Sequence, residues 1–160
     1  MDVSIRPMRT GDDAAVDALA TAAYGAGFEE AAAFAAKVAA GIGLVAETTG
    51  GAVVGYGVAL PWRGELPGLQ SRPGGPCPHP EFLHVHDIYV DAAARGAGLG
   101  SVLMGEFERL AGELGLATMR CIAVHGADVV WRRLGWSAST AAVPADYPPG
   151  SLAMERTTRA

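Results

Sequence analysis

Lysine is almost missing from this chain. Of its 12 basic residues, Lys37 is the one lysine and the others are arginines. Acidic residues number 17, giving a formal net charge of −5, so no broad basic surface is available for a nucleic-acid backbone and no nucleic-acid partner is expected. A small anion held in one local pocket stays compatible with that charge. Cysteine is scarce as well: Cys77 and Cys121 are the pair present. Met1 to Arg9 lacks the apolar segment of a secretory leader, so both are read as reduced thiols of a cytoplasmic protein. No run approaches the roughly 20 apolar residues that a membrane helix requires, and no membrane partner is expected. Charged residues make up 18% against 50% hydrophobic, which excludes a disordered chain. With 160 residues and no internal repeat, one domain over 1–160 can bury its core without disulfides.

What is present alternates between short elements. Val3 to Met8 has a strand pattern, and Thr10 is placed to cap a helix from about Asp12 to Tyr24. Gly25 and Gly27 break it. A second, alanine-rich helix covers Phe28 to Ala40 and stops at Gly41 and Gly43. The apolar runs Leu44–Thr48 and Val53–Leu60 flank Thr49-Gly50-Gly51, a tight hairpin turn. Between Pro61 and Pro80 stand six prolines and four glycines, too many for a regular element, and a loop of this length is functional or mobile. Beyond it follow a strand over Leu83–Val90, a helix to about Gly115 with Leu99, Leu103, Phe107, Leu110 and Leu114 at helical spacing, and a strand over Thr118–Val124. A short helix over Ala127–Leu134 and final strands over Trp136–Val143 and Leu152–Thr158 complete the pattern.

The segment Arg95-Gly-Ala-Gly-Leu-Gly-Ser101 carries the chemistry. Three glycines in five residues allow tight turning and close approach of the backbone to a ligand, and the helix that follows opens with unpaired amides and the positive end of its dipole. It is an anion loop. A P-loop would need Gly-Lys-Ser/Thr, which is missing. A Rossmann unit would place its glycines after the first strand and an acid at the end of the second; here the loop comes late and the next strand ends without one.

Arg95-x-x-Gly98-x-Gly100 after a strand resembles the acetyl-coenzyme A loop of the GCN5-related N-acetyltransferases, and Val130-Trp-Arg-Arg-Leu-Gly-Trp136 resembles a later signature of that family. The two stand in the family's order and spacing, and the resemblance covers nearly the whole chain. It implies a mixed α/β fold, with a central, mostly antiparallel sheet of about six to seven strands flanked by about four helices. It also implies acetyl-CoA as cosubstrate and transfer of acetyl to a primary amine, of a small molecule or a peptide, by direct attack in a ternary complex. A homodimer is compatible with this reading, and the sequence does not fix the oligomeric state.

Carried onto this sequence, the resemblance implies that amides of Gly96, Ala97, Gly98, Leu99, Gly100 and Ser101 hold the pyrophosphate. Arg95 either contacts phosphate or anchors the loop. The backbone of Ile88, Tyr89 and Val90 pairs with the pantetheine arm, the Ile88 amide facing the thioester oxygen. Strict strand alternation puts His84, His86, Ile88 and Val90 on one face and Leu83, Val85, Asp87 and Tyr89 on the other. An imidazole has a suitable pKa to accept the amine's proton, which makes His84 the first candidate base and His86 the second; Asp87 reads as structural. His-x-His also suits a metal, but no third ligand is placed by the sequence, and no metal site is assigned. Where many family members carry an acidic tyrosine, this chain has Trp131, a wall near the thiol end; Tyr147 is the alternative hydroxyl. Acceptor contacts fall on Tyr24, Phe28, Glu29, Glu30 and Trp62, although Glu29 and Glu30 equally suit the first turn of the second helix. The missing tyrosine keeps open a non-catalytic acyl-CoA sensor, and a longer acyl group is a further alternative.

Overall fold

The structure, a computed structural model, describes residues 2–158; positions 1, 159 and 160 of the expected domain lie outside the described residues. Strand β1 (Val3–Pro7) leads through a 3₁₀ turn (Thr10–Asp12) into α1 (Asp13–Tyr24), and α2 (Ala31–Ala40) follows. Next come β2 (Ile42–Thr48), β3 (Val53–Trp62), β4 (Phe82–Val90), α3 (Leu99–Glu113), β5 (Thr118–Ala123), α4 (Asp128–Arg133), β6 (Ser137–Ala138) and β7 (Leu152–Thr157). One mixed sheet has the order β1-β2-β3-β4-β5-β7-β6. Its pairs are antiparallel except β4–β5.

Each face of the sheet is covered by the helices whose apolar stripes the sequence supplies. Leu103, Met104, Phe107 and Ala111 of α3 pack on Leu83, Val85, Met119, Cys121 and Met154, with Trp136 closing the end. On the other face Val16 and Leu19 of α1 and Phe34 and Val38 of α2 cover Val45, Tyr56 and Val58. Two glycines are set by packing. A Cβ at Gly41 would stand 2.3 Å from the Ala59 carbonyl oxygen, and one at Gly57 would stand 2.6 Å from the Phe107 ring.

Several expected boundaries move. The second helix begins at Ala31 rather than Phe28, because Gly27 takes φ 75° and Glu30 is still extended. Gly43 lies inside β2. Pro61 and Trp62 belong to β3 rather than to the loop: β2 ends opposite Ala59, so the amide that Pro61 lacks is not needed for a ladder on that side. The strand expected over Trp136–Val143 shrinks to Ser137–Ala138, since the Ser139 hydroxyl accepts the Ala141 amide at 3.1 Å and turns the chain away. Thr10 does not cap α1; the Asp12 carboxylate instead accepts the Arg9 amide at 2.8 Å and the Arg6 guanidinium at 2.8 Å.

Candidate active site

Strands β4 and β5 pair at Leu83–Met119 and His84–Arg120 and then have no further ladder partners in each other. Past that point they fork, while β5 stays paired to β7 through Ala123. Backbone groups of β4 toward Val90 are therefore available to a ligand entering the fork.

β4 also carries a bulge. Val58 pairs with Asp87 and Ala59 with Val85, leaving His86 as the extra residue. The bulge changes the side-chain phase, so the expected alternation fails. Leu83, Val85, Ile88 and Val90 all face the α3 core. His84 and His86 stay together, ring centroids 6.0 Å apart, on the face toward α1 and α2, and Asp87 joins them there. Asp87, expected to face away, accepts the Tyr24 hydroxyl at 2.5 Å and the Tyr56 hydroxyl at 2.6 Å. Burial pushes its carboxyl pKa up, against the opposing pull of the His86 charge and the two tyrosine hydrogen bonds.

On that face opens a cleft of about 780 Å³, with Tyr24, Phe28, Glu29, Leu69, His86, Asp87 and Tyr147 around its inner end. Glu29 is the main correction to the expected helix-start reading: its carboxylate turns inward, 2.8 Å and 3.0 Å from His86 Nε2. Its other partner is Lys37, whose ammonium is fully buried and donates to Glu29 at 2.8 Å, to the Leu69 carbonyl at 2.8 Å and to the Ser71 carbonyl at 2.9 Å. Burial would raise the Glu29 pKa. The hydrogen bond and charge of His86, then those of Lys37, outweigh it and hold the carboxylate below its usual range.

The histidines divide. His84 does not line the cleft, is fully buried, and has no partner for either ring nitrogen among the described residues. Burial first, then the charges of His86 and Lys37, push its pKa well below the usual imidazole value. His86 lines the cleft with a side chain 3% exposed. When Nε2–H donates to Glu29, Nδ1 keeps its lone pair, and that nitrogen is itself buried, with no partner among the described residues. Of the two histidines, His86 is the one that lines the cleft.

Other expected acceptor contacts separate in the same way. Tyr24 and Phe28 stack at 5.0 Å on the cleft wall. Glu30 lies outside it, bonded through its amide to Gln70 and through its carboxylate to Arg72 at 3.0 Å. Trp62 is also outside, its indole donating to the Glu65 carbonyl at 2.8 Å. Residues 69–71 of the proline-rich loop are tied to the rest of the fold: Lys37 holds Leu69 and Ser71, Gln70 donates to the Phe28 carbonyl at 2.9 Å, and Asp146 accepts the Leu69 and Gln70 amides. Asp146 is next to Tyr147, so these bonds brace both walls. Tyr147 is buried at the cleft wall with no hydrogen-bond partner among the described residues, and burial raises its pKa. Trp131 packs edge-to-face on Trp136 at 5.0 Å. Cys121 is core, its thiol pKa raised by burial. Among the described residues no group of three metal-ligating side chains comes together, and no helix is long and apolar enough to cross a membrane.

At the end of β4 the anion loop has the backbone that an anion needs. Gly96 and Gly98 take φ of 92° and 73°, a region that favours glycine. Gly98 is the N-cap of α3 and has no side chain to satisfy the first-turn amides of Leu99, Gly100 and Ser101, and that turn contains no acid. Gly100 is informative in another way. A Cβ there meets nothing within 4 Å, so packing does not require glycine, although glycine costs a helix about 0.5–1 kcal/mol relative to alanine. The open space beside it leaves room for an anion to approach the first-turn amides. Arg95 folds back, Nη2 donating to the Tyr89 hydroxyl at 3.2 Å and Nε to the Val90 carbonyl at 3.4 Å, which makes it an anchor of the loop.

Comparison with known proteins agrees with this geometry. Residues 14–136 match the acetyltransferase (GNAT) family, whereas no curated protein matches the chain. Among solved structures, a phosphinothricin acetyltransferase from Sinorhizobium meliloti in complex with AcCoA is 19% identical over 99% of this chain and 89% of its own, with a TM-score of 0.68. A GNAT family N-acetyltransferase from Escherichia coli in complex with CoA is 20% identical over 98% and 82%, TM-score 0.68. Ard1 from Thermoplasma volcanium is 18% identical over the full length of both chains, TM-score 0.74. These likenesses establish the shared fold, and the family match runs from α1 through the forked strands and the anion loop to Trp136: the chain belongs to the acetyltransferase (GNAT) family.

Proposed function

We propose that the protein, acting as one domain over residues 1–160, transfers acetyl from acetyl-CoA to a primary amine of a small molecule. The observation that carries this reading is His86 held by Glu29 in a cleft on one side of the β4 fork, with the anion loop at the far end of the same strand. Two of the structural neighbours were solved with AcCoA or CoA bound, which supports the same cosubstrate here.

Acetyl-CoA supplies the acyl thioester. The amides of residues 96–101 hold its pyrophosphate, the backbone of Ile88, Tyr89 and Val90 lines up the pantetheine arm, and the Ile88 amide faces the thioester oxygen. An amine arrives protonated and cannot attack until it loses a proton. His86 Nδ1 accepts that proton, while Glu29 holds Nε2–H, fixes the tautomer and stabilises the imidazolium that results. The new N–C bond forms as the C–S bond breaks; the sulfur leaves as a thiolate and takes up the second proton that the amine nitrogen sheds on becoming an amide, so coenzyme A ends as the free thiol. With a thiol pKa near 8.5 this departure needs little acid help, so Trp131 is tolerable where a tyrosine is common. Tyr147 presents an unpartnered hydroxyl at the cleft wall that can hydrogen-bond the departing sulfur.

The test combines calorimetry with a thiol-release panel of primary amines. Acetyl-CoA binds, and release occurs only with an acceptor present. Failure of acetyl-CoA to bind refutes the cosubstrate. The second reading, a non-catalytic acyl-CoA module, rests on Trp131 and is favoured if binding is retained while no amine gives release.

A further inference from the structure

The cleft does not end at His86. It continues as a trench between α1 and α2, with Ala20, Phe34 and Val38 among its walls, and reaches Asp17 and Asp13 near the start of α1. At the inner end stand the carboxylates of Glu29 and Asp87, and in the 3%-exposed His86 side chain Nδ1 has no partner. At the outer end Asp13 and Asp17 are one helical turn apart, exposed, and, among the described residues, without an ion pair or hydrogen bond from a side chain. Arg9 is the one arginine at the trench; its side chain is 67% exposed and lies 4.0 Å from Glu47.

We infer that the acceptor is a long α,ω-diamine or linear polyamine, with one amine delivered to His86 and a second cationic centre held by Asp17 and Asp13. The inference rests on the acceptor-site reading given above. The spacing follows from α1 itself: Tyr24, which bonds Asp87 at the inner end, and Asp17 are seven residues apart, about 10 Å at 1.5 Å per residue. Between the two acidic ends the walls are mostly apolar, with Ala20, Phe34 and Val38 against the single hydroxyl of Thr21, which suits a chain of methylenes. A monoamine of the same length fills the trench equally well but leaves the outer carboxylates unpaired, so the difference between the two isolates the second charge.

The experiment is thiol release from acetyl-CoA with diaminooctane against octylamine, and with diaminopropane against propylamine. The long diamine is expected to exceed its monoamine in kcat/KM by about fivefold at low salt, the scale of a partly exposed ion pair or two, and the ratio shrinks as salt rises. The short diamine, unable to span, shows no such advantage over propylamine. In the Asp13→Asn/Asp17→Asn variant the diaminooctane to octylamine ratio falls toward one. Equal kcat/KM for diaminooctane and octylamine, or a ratio unchanged in the variant, overturns the diamine assignment while leaving amine acetylation standing. Absence of release with all four amines, acetyl-CoA being bound, overturns the diamine assignment, and amine acetylation falls with it only when the wider amine panel also gives no release.

Discussion

Replacing Lys37 by methionine tests whether the inner end of the cleft is assembled by one buried charge. Methionine fills most of the volume, so the perturbation is electrostatic: the Leu69 and Ser71 carbonyls lose their donor and Glu29 keeps His86 alone. Removing one partner of a buried pair costs about 3–5 kcal/mol. The Glu29 side chain retains 10% exposure, and water entering there offsets part of the loss, which puts the expected cost near 3 kcal/mol. For a chain of this size that is about 6–12 °C in thermal midpoint. The pH dependence has a definite sign. Glu29 titrates below its ordinary value when folded, so its contribution is complete above the unfolded carboxylate pKa, near 4.3, and is lost as pH falls through the folded value. Without Lys37 the folded pKa rises toward the unfolded one, so less stability is lost on the acid side and that loss is complete at higher pH. Thermal melts from pH 2 to 8, read on the wild type, Lys37→Met, Glu29→Gln and the double variant, give both quantities. The double variant should cost at least about 1.5 kcal/mol less than the sum of the singles. A Lys37→Met midpoint within about 2 °C of the wild type, or strictly additive costs, refutes the buried Lys37–Glu29 pair as the brace of the site.

Two further substitutions separate packing from ligand contact. Gly100→Val places a side chain where the protein has open space, so the thermal midpoint is expected to hold, while calorimetric affinity for acetyl-CoA falls at least about tenfold, or 1.4 kcal/mol; unchanged affinity removes Gly100 from the pyrophosphate site. Gly57→Ala does the reverse: its Cβ meets the Phe107 ring at 2.6 Å, and overpacking is expected to cost about 1–3 kcal/mol, read as a lowered denaturation midpoint. A neutral result there contradicts the described packing of α3 on β3.

The parts legible in the sequence are those set by local interactions. The Arg95–Ser101 loop, the Thr49–Gly51 hairpin and the spacing of Leu99, Leu103 and Phe107 each need a few neighbouring residues, and each appears where expected. The site's active face was not legible in the same way. The bulge at His86 exists because β3 offers one residue fewer than β4 across the pair, a fact about register that β4 alone does not contain. It moves Asp87 to the cleft side and takes Ile88 and Val90 to the α3 side. Glu29 reads as a helix-start acid until Gly27 and Glu30 delay α2 to Ala31, which frees its carboxylate to meet His86. Lys37 did leave a trace: the single lysine of the chain sits in the middle of an alanine-rich helix, where a buried ammonium must have partners. Those partners, Leu69 and Ser71, lie more than 30 residues away in a loop whose composition suggested mobility.

The most direct measurement of the central claim is acetylated amine formed per acetyl-CoA consumed, followed by mass spectrometry for the wild type and His86→Ala. The account predicts one acetylated amine per thiol released, and a turnover in His86→Ala lower by about 10²–10⁴-fold with acetyl-CoA affinity preserved. Bound acetyl-CoA without acetylated product in the wild type, or full turnover in His86→Ala, contradicts it.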